Sequence, residues 1–201
     1  GGLQPSDLSI LAGRPAMGKT ALDTNIADHV AKNYNAEYQP DGSMQVKDGG
    51  VVAFFSLEMS SEQLATRIIA EQTGVPSEQI RRGKIDDTTF QRLVEVSQEL
   101  QALPLYIDSP GGLTIAQVAA RARRLKRQRG LGLISVDYLQ LLAGSSRKAA
   151  ENRVQEVTEI TVGLKALAKE INVPVIALSQ LSGQVESRED KRPHLSDLLE
   201  S

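Results

Sequence analysis

Hydrophobic residues gather in five short, nearly unbroken runs, at 8–11, 51–55, 103–107, 133–136 and 173–178. Runs without polar alternation are the signature of parallel strands covered on both faces. Between them the apolar positions return with helical spacing, at 21–31, 61–72, 88–102, 114–129 and 149–171. In the third of these, Phe90, Leu93, Val94, Val96 and Leu100 form the stripe. Ser60 followed by Gln63 reads as a capping box that starts the second helix. Strand and helix in alternation predict an α/β fold with a predominantly parallel central sheet flanked by helices. The segment 33–50 breaks the rhythm. Tyr34, Asn35, Tyr38, Pro40, Asp41, Gly42, Gly49 and Gly50 follow no period there, so it is expected to be an inserted, mobile surface loop.

The 201 residues suffice for one domain with a real core, and 1–201 is read as a single domain. No apolar run nears the ~20 residues of a bilayer span, and no leader pattern opens the chain, so no membrane role is expected. The absence of cysteine excludes disulfides and thiolate-bound metals, and weakly favours the cytosol. A net charge of −2 makes the chain no general magnet for polyanions, so nucleic acid would have to be held by a local patch. With 3% aromatic residues and no Trp, base stacking is a poor basis for such contact, leaving phosphates as its target.

Chemistry enters at Gly13-Arg14-Pro15-Ala16-Met17-Gly18-Lys19-Thr20, a G-x-x-x-x-G-K-T loop between the first strand and the helix that continues at Ala21. The glycines let several N–H groups converge on one polyphosphate. Lys19 brings an ammonium to the β- and γ-phosphates, and the Thr20 hydroxyl can ligate Mg²⁺. The following helix adds its dipole. Ligands of open parallel sheets sit beyond the carboxyl ends of the strands. Three residues there extend the candidate site. Asp137 ends an apolar strand and can hold the Mg²⁺ shell through water, although an Asp at a strand exit also serves solubility. Glu58 can polarise a water for in-line attack, and it equally suits the start of the next helix. Gln180 can sense a γ-phosphate or be an ordinary loop residue.

Arg121, Arg123, Arg124, Lys126, Arg127 and Arg129 make a basic stretch that runs all round its helix, as expected of a solvated or subunit-facing element. Arg147 and Lys148 form a better nucleic-acid candidate, on the same edge as Asp137.

Several motifs in order resemble the bacterial replicative DNA helicase family, the DnaB family. They are Gly2-Leu3-Gln4-Pro5-Ser6-Asp7-Leu8, the phosphate loop, Phe55-Ser56-Leu57-Glu58-Met59-Ser60, Asp137-Tyr138-Leu139-Gln140-Leu141 and Ala177-Leu178-Ser179-Gln180-Leu181. Leu125-Lys126-Arg127, Gly130-Leu131-Gly132-Leu133 and Asp190-Lys191-Arg192-Pro193 resemble it too. The resemblance implies a RecA-like P-loop NTPase core that binds ATP and Mg²⁺. It implies a homo-hexamer around single-stranded DNA, a cytoplasmic place at the replication fork, and primase and a helicase loader as partners. Lys19 and Thr20 match the family's Walker A pair, Glu58 its catalytic glutamate and Asp137 its Walker B aspartate. Gln180 matches the glutamine that couples γ-phosphate to DNA. The family's DNA loops fall at about 143–152 and 182–201, which adds Glu200 to Arg147 and Lys148 as nucleic-acid candidates. Leu199 stands where the family usually has Arg.

The family's arginine finger, worth about 10³–10⁵ in rate, lies on a strand expected beyond Ser201, and its N-terminal domain precedes Gly1. The isolated chain is therefore expected to bind ATP and hydrolyse it slowly. The function implied is ATP-driven translocation and unwinding. Another RecA-like DNA-dependent ATPase, or a nucleotide-gated assembly module, are the rival readings.

Overall fold

A computed structural model describes residues 2–13, 18–109, 111–143 and 152–180. The five apolar runs become five strands: β1 (Leu8–Gly13), β4 (Val52–Ser56), β5 (Leu105–Asp108), β6 (Leu133–Asp137) and β7 (Val175–Gln180). All pair in parallel, in the order β1-β7-β6-β4-β5. Two strands start later than the apolar run because of a proline. Pro104 and Pro174 accept ladder hydrogen bonds from Val52 (2.9 Å) and Ile134 (3.0 Å) but have no N–H to return.

Alternate residues of each strand feed opposite faces. On one face Val52, Phe54, Leu133, Ile176 and Leu178 pack with Ala27 and Ala31 of α1 (Lys19–Lys32) and with Leu64 and Ile68 of α2 (Ser61–Thr73). On the other, Ala53, Phe55, Ile134, Val136 and Ala177 meet α5 (Ile115–Arg129) and α6 (Arg153–Ile171) through Val118, Ala122, Ile160 and Leu164. Between α2 and β5 lie a short α3 (Ser77–Arg82), which the sequence reading lacks, and α4 (Asp87–Ala102). The capping box at Ser60 and Gln63 forms as expected, and a second closes on Thr114 and Gln117.

The expected loop at 33–50 is instead an antiparallel hairpin of β2 (Asn35–Tyr38) and β3 (Met44–Asp48). Ala36 faces Val46 and Tyr38 faces Met44, while the turn is closed by Asp41, which accepts from the Ser43 backbone and hydroxyl at 2.9 and 2.5 Å. The hairpin lies on the surface and is tied back where Gly50 donates to Val30 O (3.1 Å). Gly50 then passes Gly132 so closely that a Cβ on either would stand 2.9 Å from the other's Cα. This contact draws together the chains entering β4 and β6.

Two of the six cations on the basic helix are held in ion pairs. Arg121 pairs with Asp108 at the end of β5, and Arg123 grips Glu170 of α6 through two bonds of 2.5 and 3.1 Å. Among the described residues no helix is long and apolar enough to cross a membrane.

Candidate active site at the carboxyl edge of the sheet

Register decides which strand ends meet. Gly13 stands opposite Gln180 across the β1–β7 pair, and Ser56 stands opposite Asp137 across the β4–β6 pair. Every predicted site residue that the structure describes therefore comes to one edge. Arg14, Pro15, Ala16 and Met17 of the phosphate loop, and Arg147, Lys148, Leu199 and Glu200, lie outside the described residues.

The loop delivers the chain to α1 through Gly18, whose φ of 73° is left-handed and favours glycine. No side chain caps α1. Among the described residues no side chain competes with a ligand for its first N–H groups. Lys19 Nζ bridges two strand ends, donating to Gly13 O at 2.8 Å and to Ser179 O at 2.5 Å. Burial holds its ammonium below the ordinary lysine value, while the charges of Asp137 and Glu58 oppose that shift.

Asp137 is buried at the end of β6. Burial raises its carboxyl above the usual range, and Glu58 adds to the rise. The Thr20 hydroxyl, hydrogen-bonded to the carboxylate, works against it, as do Lys19 and Arg67. Glu58 is exposed on the turn between β4 and α2. That turn is fixed at both ends: Leu57 N donates to Asp137 O (2.8 Å) and Ser56 Oγ to Met59 O (2.8 Å). A cavity of about 990 Å³ opens from Thr20 and Glu58 along α2 and past Arg67 to Arg81.

Four residues near the site were absent from the expected set. Asp23, one turn past Thr20, is 0% exposed, and Ser135 Oγ lies 2.6 Å from both its oxygens, which share that hydroxyl's one proton. Burial pushes its carboxyl up to about 8, with Asp137 adding to the rise and Ser135 opposing it. Its signal was available in the sequence, since Asp23, Ala27 and Ala31 share one helical stripe and all are buried. Arg67 acts through its field on Asp137. Gln140 and Arg153 connect the turn after β6 to β7 and α6, and nothing in their spacing announces it.

An apolar, parallel-strand edge with a lysine, a threonine hydroxyl and a buried Asp beside an exposed Glu is the arrangement that phosphoryl chemistry uses. Comparison with known proteins narrows it. The family described as "DnaB-like helicase C terminal domain" matches residues 1–201. The chain belongs to that family.

Among its relatives, the replicative DNA helicase DnaB of Rickettsia bellii is 52% identical over the whole chain, which covers 39% of that protein. The DnaB of Geobacillus stearothermophilus is 45% identical, with 41% of its length covered. This DnaB-like chain thus spans about two fifths of the relatives it matches. Among solved structures, a DnaB-like replicative helicase studied for its interactions with primase superposes with a TM-score of 0.79 at 30% identity. The match covers 98% of this chain and 44% of that one. The sheet described above is accordingly the RecA-like ATPase core of the DnaB-like fold.

Proposed function

We propose that this chain is the ATP-driven motor of a replicative DNA helicase, acting in the cytoplasm at the fork as a homo-hexamer around single-stranded DNA. The observation that carries the reading is the convergence of Lys19, Thr20, Glu58, Asp137 and Gln180 at one sheet edge in a DnaB-like chain. Primase and a helicase loader are its further partners, the former supported by the relative solved with primase in view.

The backbone from Gly13 through Arg14, Pro15, Ala16, Met17, Gly18, Lys19 and Thr20 to Ala21 cradles the triphosphate. The Lys19 ammonium offsets charge that builds on the transferring phosphoryl group. Exposed on its fixed turn and within electrostatic reach of Lys19 and Asp137, Glu58 orients the attacking water and accepts its proton. Gln180, at the tip of β7 beside the loop, registers the γ-phosphate, and Arg147, Lys148 and Glu200 belong to segments that meet DNA.

The donors suit Mg²⁺. Thr20 and Asp137 offer hard oxygens already joined by a hydrogen bond, and the buried Asp137 carboxyl gains from a cation beside it. Thr20 would hold the ion directly and Asp137 through water, and the ion supplies neutralisation of phosphate charge.

The reading is tested in a protein of the relatives' full length that carries this chain. ATPase activity stimulated by single-stranded DNA, together with unwinding of a forked duplex, is expected. Binding should fall steeply with salt and depend little on base sequence. ATPase indifferent to DNA, with no unwinding, would overturn it, and strand exchange without unwinding would point to a recombinase.

A further inference from the structure

β6 and β7 part company before the site is complete. Their pairing runs from Ile134 opposite Val175 to Val136 opposite Ala177. β6 then ends at Asp137, while β7 continues to Gln180. One side chain takes over where the ladder stops. Gln140, 6% exposed in the 3-10 turn Leu139–Leu141, donates through Nε2 to Ser179 Oγ (2.6 Å) and to Gln180 O (3.1 Å). Its Oε1 accepts from Gln180 N at 3.4 Å. The amide thus behaves as one more rung, using its donor and its acceptor together.

Both flanks of this rung are engaged. The Ser179 carbonyl accepts from Lys19 Nζ, and the Gln140 carbonyl accepts from Arg153 Nη2 at 2.7 Å. Arg153 is the first residue of α6 and also holds Glu156 (2.6 Å). Hydrogen bonds joined through the covalent frames of Ser179 and Gln140 form a line that links the phosphate-loop lysine to the N-terminus of α6. Lys19 has three N–H donors, and two are committed to main-chain carbonyls. A triphosphate competes for those same donors, so its arrival changes the load on the Ser179 end of the line.

We propose that Gln140 is a positioning residue that carries the occupancy of the nucleotide site from the end of β7 to the N-terminus of α6. The inference rests on the nucleotide site proposed above. It deepens that site by assigning a relay, with α6 as the receiving element. Among the described residues, α6 is the first helix that follows positions 147 and 148 in sequence.

The test is amide hydrogen exchange on the 201-residue chain, with and without Mg²⁺ and the slowly hydrolysed analogue ATPγS. In the parent chain the analogue should change exchange at least threefold in the peptide containing residues 18–24 and in those covering 139–143 and 152–157. Gln140→Met keeps the side-chain length and removes both polar atoms. It should leave nucleotide affinity within threefold and the 18–24 response intact, while the responses at 139–143 and 152–157 vanish. Arg153→Met cuts the line at its far end without touching β7. It should silence 152–157 alone, which serves if the first variant does not fold. Equal responses at 152–157 in parent and variants, or none there in the parent while 18–24 responds, would overturn the relay. Silence in every segment of the parent would overturn the nucleotide site and the relay with it, a pattern distinct from the loss at α6 alone.

Discussion

Replacing Asp23 by Asn should stabilise the protein, and by an amount that depends on pH. The carboxyl is fully buried between α1 and β6, and its two oxygens share the single hydroxyl proton of Ser135. Burial raises its pKa from 3.8 to about 8 in the folded state. Below the unfolded value both states hold the proton and the group contributes no difference. Between the two values the unfolded chain releases the proton and the native chain keeps it, so stability falls as pH rises. Each unit is worth about 1.4 kcal/mol, so the loss amounts to about 4 kcal/mol at pH 7 and ceases to grow once the folded value is passed. Asn has the same shape, does not titrate and still accepts from Ser135. The assay is denaturant unfolding of both proteins at pH 5, 6, 7 and 8. The stability difference, variant minus parent, should widen by about 1.4 kcal/mol per unit up to pH 7 and by about 1 kcal/mol from pH 7 to 8, where the slope begins to fall. Taking the difference cancels Asp41, Asp86 and Glu170, whose carboxyls are held low by hydrogen bonds and contribute the opposite slope in acid. A constant offset of the Asn amide moves the whole curve without altering its slope. A difference independent of pH between 5 and 8 would refute the buried, proton-holding carboxyl.

Glu58→Gln in a full-length relative-sized protein should leave ATP binding intact and lower turnover by about 10²–10⁴, the usual contribution of a general base; near-normal hydrolysis would remove Glu58 from the mechanism. Ser60→Ala deletes the acceptor for Gln63 N (3.1 Å) at the start of α2 and should cost about 1 kcal/mol in thermal unfolding. Gly132→Ala places a Cβ 2.9 Å from Gly50 Cα and should cost about 1–3 kcal/mol, whereas Gly111→Ala, with nothing within 4 Å of the added carbon, should change the midpoint little.

Hydrophobic runs sufficed to place all five strands of the main sheet because β4, β6 and β7 are buried on both faces, and β1 and β5, half-buried at the two edges, keep the same mainly apolar runs. Their lateral order was not legible, since nothing local in β1 says that it neighbours β7. The hairpin at 35–48 escaped because its apolar positions, Ala36, Tyr38, Met44 and Val46, alternate over strands of four and five residues that face solvent rather than core. Six residues of α3 are fewer than two helical turns, too short for a period to emerge. The meeting of Lys19, Thr20, Glu58, Asp137 and Gln180 at one edge was legible, because the loop spacing marks the first two and the other three follow apolar runs whose ends share an edge in a parallel sheet. The role of Gln140 was not, because its partners lie 39 and 40 positions away and become neighbours only when β6 stops short.

The pairing of β1 with β7 carries a consequence for synthesis. Leu8 finds its partner in Val175, and Gly13 in Gln180, so the strand that leads into residues 13–20 has no place in the sheet until β7 arrives. A chain emerging from the ribosome already holds the residues of β4 and β6, with Glu58 and Asp137 at their ends, while Lys19 still lacks the Ser179 carbonyl that seats it. Such distant pairings form late and slowly. On the function proposed above, nucleotide capture would therefore wait for β7: a nascent or interrupted polypeptide lacks both the neighbour that seats β1 and the carbonyl that seats Lys19.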